Sequence, residues 1–295
     1  MAQAKIAPRF RYPIDADTAA RMLAAAYRVE VEARHRTFTM DAGTRDKIAH
    51  AARWLTDATL PPSLLLYGSM PGTGKTTLAL AIKGMAVALH ESLLEGIGAA
   101  EQSLRMRAEK HFENYVVPWP EGLQKISCYA DFQRRQEWRE SHPEDAEILD
   151  QKDAEKQAAI TEWKARHEAE IEKVRRQAAA LKAITPTYHT ARDLVTMATA
   201  ADAAQRRTYD YATNCSCLII DDLGTEPVEV NNYGTRVTPL LDLLYTRYDA
   251  MKPTIITTNF GKNQIVETYG ARLFDRLCEM SCRINYGGNQ SYRVL

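Results

Sequence analysis

The stretch that most constrains this chain is Gly68-Ser-Met-Pro-Gly-Thr-Gly-Lys-Thr-Thr77. An apolar run at residues 63–67 precedes it, and an amphipathic pattern typical of a helix follows it. A glycine-rich turn between a strand and a helix places backbone N–H groups at the positive end of a helix dipole, where they bind phosphates. We therefore predict a phosphate-binding loop formed by Gly68, Ser69, Met70, Pro71, Gly72, Thr73, Gly74, Lys75, Thr76 and Thr77.

Two residues of this loop carry the predicted chemistry. Lys75 supplies a positive charge for the phosphates, and Thr76 supplies a hydroxyl for Mg²⁺. The spacing departs from the usual pattern, because Ser69 stands where the first glycine is expected and Gly68 comes one residue earlier. Either Ser69 adopts the turn, or the loop is one residue longer than usual.

A second motif, Cys217-Leu-Ile-Ile-Asp-Asp222, is an apolar run that ends in two acids. This pattern predicts a buried strand that delivers carboxylates to its C-terminal end. We assign Asp221 to Mg²⁺ together with Thr76, and Asp222 to the orientation of an attacking water. Aspartate is one methylene shorter than the glutamate that ATPases with a phosphate-binding loop usually have there. Glu226 is a less favoured candidate for the same role.

A third strand is predicted at Thr254-Ile-Ile-Thr-Thr258, after Pro253, and it ends at Asn259. The Asn259 amide at that strand end can bind the nucleophilic water or the γ-phosphate; the alternative is a turn-forming asparagine.

Composition limits the environment of the protein. Lys and Arg number 38, as do Asp and Glu, so no net charge attracts the whole chain to nucleic acid. The five cysteines lack metal-ligand spacing, which favours reduced, mostly buried thiols in a cytosolic protein. We find no signal-like apolar core at the start and no run of membrane-spanning length, and we predict a cytoplasmic protein that does not use a membrane.

The chain is predicted to contain three regions. Residues 1–57 form an N-terminal helical segment, which serves either as a partner-binding arm or as a lid on the nucleotide domain. Its first predicted helix starts at Pro13 and the Asp15/Asp17 pair and continues over 19–36, and its second covers 44–55. Residues 58–295 form an ATPase core. Within the core, residues 100–184 are polar and charged and form a long helical insertion, which either contacts a partner or DNA or has a packing role alone.

One tight basic-aromatic cluster, Arg206, Arg207, Tyr209 and Tyr211, lies in a helix predicted at 191–207 and its continuation. Guanidinium groups can pair with phosphates and aromatic rings can stack on unpaired bases. The alternative is an ordinary surface helix end.

The motifs together resemble the AAA+ ATPases of the DnaC/DnaI helicase-loader and IstB transposase-helper group. The resemblance rests on Gly-Thr-Gly-Lys-Thr, Leu-Ile-Ile-Asp-Asp-Leu-Gly, Arg247-Tyr248 and Pro-Thr-Ile-Ile-Thr-Thr-Asn, and it covers residues 60–98 and 185–295. Tyr269-Gly-Ala-Arg-Leu-Phe-Asp-Arg276 resembles the arginine-finger helix of the group. Ser291-Tyr-Arg293 resembles its sensor-2 position.

The resemblance implies an α/β fold, namely a three-layer AAA+ P-loop fold with a parallel sheet and a reduced lid. It implies that ATP and Mg²⁺ bind, that Arg276 reaches the γ-phosphate of a neighbouring subunit, with Arg272 as the rival, and that Arg293 reaches the γ-phosphate of its own subunit. The expected partners are a replicative helicase or a transposase, single-stranded DNA, and copies of the same chain assembled on ATP. Three functions stay open: a helicase-loader-like replication ATPase, an IstB-like transposition helper, and an ATP-switched adaptor with little turnover.

Overall fold

The structure is a computed structural model that describes residues 11–113, 117–125, 127–232 and 234–287. The chain divides into two compact units, Met1–His90 with Ala179–Leu295, and Glu91–Ala178. The helix Lys75–Glu113 begins in the first unit and ends in the second, and the helix Pro143–Ala183 does the reverse. The first six elements are α1 (Ala16–Glu32), α2 (Ala42–Thr56), β1 (Ser63–Tyr67), α3 (Lys75–Glu113), α4 (Tyr129–Ser141) and α5 (Pro143–Ala183). The elements that follow are β2 (Thr187–Thr190), α6 (Ala191–Ala198), α7 (Ala203–Asn214), β3 (Leu218–Leu223), β4 (Val230–Asn232), β5 (Thr235–Val237), α8 (Pro239–Asp249), β6 (Thr254–Thr258), α9 (Lys262–Tyr269), α10 (Ala271–Met280) and β7 (Ser281–Asn285).

The first unit is built on a five-stranded parallel sheet with the strand order β2-β3-β6-β1-β7. Helices flank this sheet, which confirms the predicted α/β fold with a parallel sheet. Tyr67 at the end of β1 is opposite Thr258 at the end of β6, and Asp221 of β3 is opposite Thr190 at the end of β2. The C-terminal ends of the strands that carry the predicted motifs therefore lie along one edge of the sheet.

The strands form because short apolar runs can bury both faces of a parallel sheet. Leu65, Ile220 and Ile256 are buried in one cluster with residues of α6, α8 and α10. Neighbouring residues along a strand point to the opposite face, where Leu64 and Ile255 are fully buried. Each such side chain contributes about 1.5–3 kcal/mol through burial.

Helices α1 and α2 each begin at an aspartate that caps the helix. Asp15 accepts a hydrogen bond from the Thr18 N–H at 2.8 Å, and Asp41 accepts one from the Thr44 N–H at 2.6 Å. Such caps satisfy N–H groups that have no partner within the helix. The two helices pack on each other and account for most of the segment that the sequence predicts as helical before residue 57.

Several predicted boundaries are wrong. The pattern after the phosphate loop predicts a helix that ends at about Gly96, whereas α3 continues to Glu113. The single helix predicted at 191–207 is two helices, α6 and α7, because the carboxylate of Asp202 caps a new helix start by accepting from the N–H groups of Ala204 and Gln205. The apolar pattern at 234–250 predicts a helix over that whole range, but residues 230–232 and 235–237 pair as the antiparallel strands β4 and β5, and α8 begins only at Pro239, five residues later.

One helical stretch within the described residues, Lys75–Ser103, is 29 residues long and apolar enough to cross a membrane by length and composition. The prediction that no run approaches this length is therefore wrong. Its first half contains the buried residues Leu78, Ile82 and Met85, and a buried core helix of an α/β domain meets the same criteria. This arrangement is compatible with a soluble protein.

The second unit is organised around a tryptophan in the loop before α4. Trp119 is buried, and its indole N–H donates to Asp153 Oδ2 of α5 at 2.9 Å. Arg135 of α4 pairs with the same carboxylate oxygen at 2.5 Å, and its guanidinium lies 3.5 Å above the Trp119 ring. The loop residue therefore ties α4 to α5.

The five cysteines are free thiols with different exposure, and this makes a prediction. Burial raises the pKa of the Cys217 thiol to about 12, whereas Cys128 is exposed. At pH 8 we expect iodoacetamide to modify Cys128 and to leave Cys217 unmodified, because the reactive species is the accessible thiolate. Peptide mass mapping of native and urea-unfolded protein checks this; Cys217 that reacts as fast as Cys128 in the native protein would contradict its placement in β-sheet packing.

Candidate nucleotide-binding site

The predicted phosphate loop connects the end of β1 to the start of α3. Lys75 is the first residue of α3 and its side chain is buried. Its ammonium donates to the carbonyl oxygens of Gly68 at 3.0 Å and Met70 at 2.9 Å, and to Thr73 Oγ1 at 3.3 Å. The loop therefore encircles a positive charge at the N-terminus of a 39-residue helix, and both features favour an anion.

The unusual glycine spacing has a packing reason. A Cβ atom at Gly68 would lie 2.8 Å from the carbonyl carbon of Tyr286 and 2.9 Å from the nitrogen of Gly287. The Tyr286 N–H donates to the Tyr67 carbonyl at 2.7 Å, which holds the backbone after β7 against the loop. Residue 68 must therefore be glycine, while Ser69, at the usual glycine position, is exposed and has no such restriction.

Asp221 is the centre of the polar cluster at this edge of the sheet. Its Oδ1 accepts from Thr76 Oγ1 at 2.8 Å and from Thr257 Oγ1 at 2.6 Å, and its Oδ2 accepts from the Tyr188 hydroxyl at 2.8 Å. Thr76 and Asp221 are 145 residues apart in the chain. The structure thus brings together the two residues that the sequence assigns to one metal ion.

Asp222 lies at an irregularity in β3. The register of β3 against β6 shifts between Ile220 and Leu223, and Asp222 has a φ of 56°, in the left-handed region that aspartate tolerates better than most residues. Its N–H donates to Thr257 Oγ1 at 2.9 Å, so the Thr257 hydroxyl links the two acids. A bulge of this kind re-aims a side chain at a strand end, and such bulges are frequent beside active sites.

Glu226, the less favoured substitute for Asp222, is held by two internal hydrogen bonds. Its Oε2 accepts from the Gly224 N–H at 2.9 Å, and its Oε1 accepts from the Tyr269 hydroxyl in a short contact. Burial and this carboxylate raise the pKa of Tyr269. Both oxygens of Glu226 therefore have structural partners, and Asp222 is the better candidate to orient a water.

Asn259 follows β6, the strand between β1 and β3, as the sequence predicts. Its Oδ1 atom is buried and has no hydrogen-bond partner in the described part of the chain. A buried amide oxygen without a donor costs about 1–3 kcal/mol. The Asn259 amide oxygen is therefore suited to accept a hydrogen bond from a bound water or another donor at this strand end.

The predicted arginines either contact α8 or lie beyond the described residues. Arg276 of α10 lies 4.7 Å from the ring centroid of Tyr245 and 4.6 Å from that of Tyr248, and 3.7 Å from Asp249. These contacts are all with α8 and not with the Lys75 and Asp221 cluster. Arg272 is exposed and lies 5.9 Å from the Tyr245 ring, and Arg293 lies outside the described residues.

The basic-aromatic cluster is partly structural. The Tyr209 hydroxyl donates to the Pro239 carbonyl at 2.7 Å, and burial raises the pKa of Tyr209 to about 12. Arg206 donates to the Ala200 carbonyl at 2.9 Å, whereas the Tyr211 side chain is 61% exposed. The helix α7 therefore offers one exposed ring, rather than the two that the sequence suggests.

The donor set fits ATP with Mg²⁺. Within the described ranges, no group of three or more His, Cys, Asp or Glu side chains could hold a metal ion on its own. Mg²⁺ in nucleotide sites is instead held by one or two protein oxygens, waters and phosphate oxygens. The Thr76 hydroxyl and the Asp221 carboxylate beside the lysine loop match that pattern.

Three residues that contact this site were not among the predicted ones. Tyr188 of β2 and Thr257 of β6 bond Asp221 directly, and a Cβ atom at Gly74 would overlap with the Tyr27 hydroxyl of α1. A threonine within a fully buried strand is a visible signal for Thr257, since polar residues in such strands need partners. The positions of Tyr188 and Tyr27 depend on strand register and helix packing, which no local pattern gives.

Comparison with known proteins gives no family model that matches the chain and no curated protein that matches its sequence. The resemblance to the AAA+ helicase-loader and transposase-helper group therefore stays a prediction based on the motifs.

Proposed function

We propose that this chain is an Mg²⁺-dependent ATPase of the AAA+ kind. The observation that carries the proposal is the 2.8 Å hydrogen bond between Thr76 of the lysine loop and Asp221 at the end of β3. This hydrogen bond connects the phosphate-loop motif with the acid-bearing strand, and a site for a metal-bound nucleotide requires these two motifs to lie side by side. Asn259 directly follows β6, the strand between β1 and β3, so three separate parts of the sequence converge on one sheet edge.

Each residue has a distinct role in the proposed site. The loop N–H groups and Lys75 bind the phosphates, and Thr76 and Asp221 hold Mg²⁺, which when bound neutralises charge on the phosphate oxygens. Asp222, aimed by the bulge in β3, orients the attacking water, and the Asn259 amide oxygen accepts a hydrogen bond from that water. Tyr188 and Thr257 keep the Asp221 carboxylate in one orientation.

The biological role that we propose is a replication accessory factor that loads or remodels a replicative helicase and assembles with ATP and single-stranded DNA. The motifs of the core and the position of Arg276 support this. The recorded contacts of Arg276 are with rings of α8 and not with its own loop, which is compatible with a residue that completes the site of a neighbouring subunit. An IstB-like transposition helper has the same core, and a transposase then replaces the helicase as partner.

A second candidate, an adaptor that binds ATP as an assembly switch with little turnover, is favoured by one observation. Asp222 has a shorter side chain than glutamate, and both oxygens of the nearby Glu226 are engaged. A site with a poorly placed water-orienting carboxylate binds ATP and hydrolyses it slowly. Single-turnover kinetics separate the two functions, since a switch retains intact ATP over long incubation.

The decisive experiment is ATP turnover as a function of protein concentration, with and without single-stranded DNA, for the wild type, Lys75→Ala and Arg276→Ala. We expect specific activity to rise with concentration and to fall about 10³-fold or more in Arg276→Ala, as for other arginine fingers. Mixing the two inactive variants restores part of the activity, because an intact Arg276 from one chain meets an intact loop from another.

Arg272→Ala is the matched control, since Arg272 lies one helical turn away and near the same Tyr245 ring. We expect it to retain most of the activity. Turnover that is independent of concentration and unchanged in Arg276→Ala would show a self-contained site and would overturn the assembly-dependent mechanism. ATP turnover that is unchanged in Lys75→Ala would overturn the proposal that this loop binds and hydrolyses ATP.

A further inference from the structure

The N-terminal segment places a second lysine near the phosphate loop. Lys47 of α2 is 92% buried, with a relative exposure of 8%. Its ammonium has no hydrogen-bond partner in the described structure, although buried ammonium groups normally bind acceptors. An amphipathic helix that needed only an apolar contact here would carry leucine or methionine, so the charge at this position calls for an explanation.

The surroundings of Lys47 connect it to the site. Its ammonium lies 4.5 Å from the ring centroid of Tyr286, and the Lys75 ammonium lies 5.8 Å from the same ring. The Tyr286 backbone packs against Gly68, at the start of the loop. One buried aromatic ring is therefore within cation–π distance of two lysines, one from the phosphate loop and one from α2.

The two lysine ammonium groups near this ring repel each other, and a nearby anion would offset the electrostatic cost of that repulsion. Burial lowers the pKa of Lys47, with partial compensation from Asp41 and Asp46. Neither carboxylate is within hydrogen-bond distance of the Lys47 ammonium. The arrangement is thus costly without a ligand and favourable with a polyanion in the loop.

Resting on the nucleotide site proposed above, we infer that Lys47 is a second phosphate-binding cation, supplied by the N-terminal segment to the nucleotide in the Lys75 loop. The contact of Tyr27 with Gly74 places α1 on the same loop. The N-terminal helices therefore form part of the nucleotide site, and occupancy of the loop is coupled to the position of α1 and α2.

The test compares Lys47→Met with the wild type for two properties. Methionine keeps the apolar stem and removes the buried charge, so the ligand-free protein unfolds at a higher temperature or at an unchanged one. Binding of Mg-ATP weakens about 10- to 100-fold, the range for a charge-assisted hydrogen bond. Binding of tripolyphosphate, which has the phosphates without the base, weakens by a similar factor, and Lys47→Arg retains most of the affinity.

The matched control is Lys262→Met, because Lys262 lies 5.7 Å from the Phe274 ring at an exposed position on α9. It should change neither property. Lys47→Met that binds Mg-ATP and tripolyphosphate like the wild type, or that only loses stability, overturns the role of Lys47. Wild-type protein that binds neither ligand overturns the nucleotide site as well. If Lys75→Ala loses binding while Lys47→Met keeps it, the nucleotide site stands and only the role of Lys47 is overturned.

Discussion

Replacing Arg247 with leucine should cost about 3–5 kcal/mol of folding free energy, among the largest effects expected of a single change in this protein. Arg247 is fully buried. Its guanidinium donates to Thr254 Oγ1 at 2.9 Å and to the carbonyls of Cys215 at 2.9 Å and Pro253 at 2.6 Å. Two more carbonyls, of Ala212 and Thr213, accept at 3.1 Å.

The carbonyls explain why this buried charge is tolerated. Those of Ala212, Thr213 and Cys215 are at the C-terminus of α7, where the helix dipole favours a cation. Burial lowers the pKa of Arg247, and the five donor groups of the guanidinium offset that cost by satisfying acceptors on two elements at once. Leucine would leave these acceptors buried and unpaired, at about 1–3 kcal/mol for each that water cannot reach.

Urea unfolding followed by circular dichroism measures the loss. Lys252→Met is the matched control, because the Lys252 ammonium donates to the Asn214 carbonyl at 2.9 Å at the same helix end but in an exposed position. It should cost less than about 1 kcal/mol. Arg247→Lys should lie between the two, since one ammonium cannot reach both α7 and β6. A loss below 1 kcal/mol for Arg247→Leu would show that water replaces its hydrogen bonds.

Local signals predict the strands that carry the motifs. The bounds of β1 and β6 agree with the prediction because each is a short apolar run preceded by proline, and prolines delimit strands clearly. Strand β7 was missed, since Ser281–Asn285 is an edge strand with only Ser281 and Ile284 buried, and its pairing with β1 spans most of the chain. Pairing over such distances is decided by tertiary contacts and not by local propensity.

The same division holds for the site. The positions of Lys75 and Thr76 at the start of α3, and of Asp221 near the end of β3, were predictable from a glycine-rich turn after one apolar run and a pair of acids after another. Tyr188 and Thr257 were not, since their contacts with Asp221 depend on the register of β2 and β6 against β3. Glycine at position 68 looked misplaced by the loop spacing alone, and its reason emerged only from the approach of Tyr286.

The other large effect concerns Asp221→Asn, which should lower ATP turnover about 10²- to 10³-fold. The Asp221 carboxylate accepts three hydroxyl hydrogen bonds, and an amide offers one oxygen in place of two and carries no charge for Mg²⁺. The apparent affinity for Mg²⁺ should fall with the rate, so excess Mg²⁺ restores part of the activity. Turnover at several Mg²⁺ concentrations measures both quantities.

Glu226→Gln is the matched control, because Glu226 is another buried acid beside β3 whose oxygens are bound by Gly224 and Tyr269. Per folded molecule it should hydrolyse ATP at close to the wild-type rate. If Glu226→Gln is inactive and Asp221→Asn is active, the acids have been assigned in the wrong order and the metal site must be placed elsewhere.

Tyr188→Phe extends the argument to a positioning residue. Removing its hydroxyl frees one oxygen of Asp221, which should weaken Mg²⁺ binding about 10-fold while changing the rate at saturating Mg²⁺ much less. Tyr209→Phe removes a comparable hydroxyl, bonded to the Pro239 carbonyl, and should leave the Mg²⁺ dependence unchanged. If the role of Tyr188 is purely structural, both variants lose stability and neither changes its Mg²⁺ dependence. A change of Mg²⁺ dependence in Tyr188→Phe alone identifies Tyr188 as the residue that orients the proposed metal-binding acid.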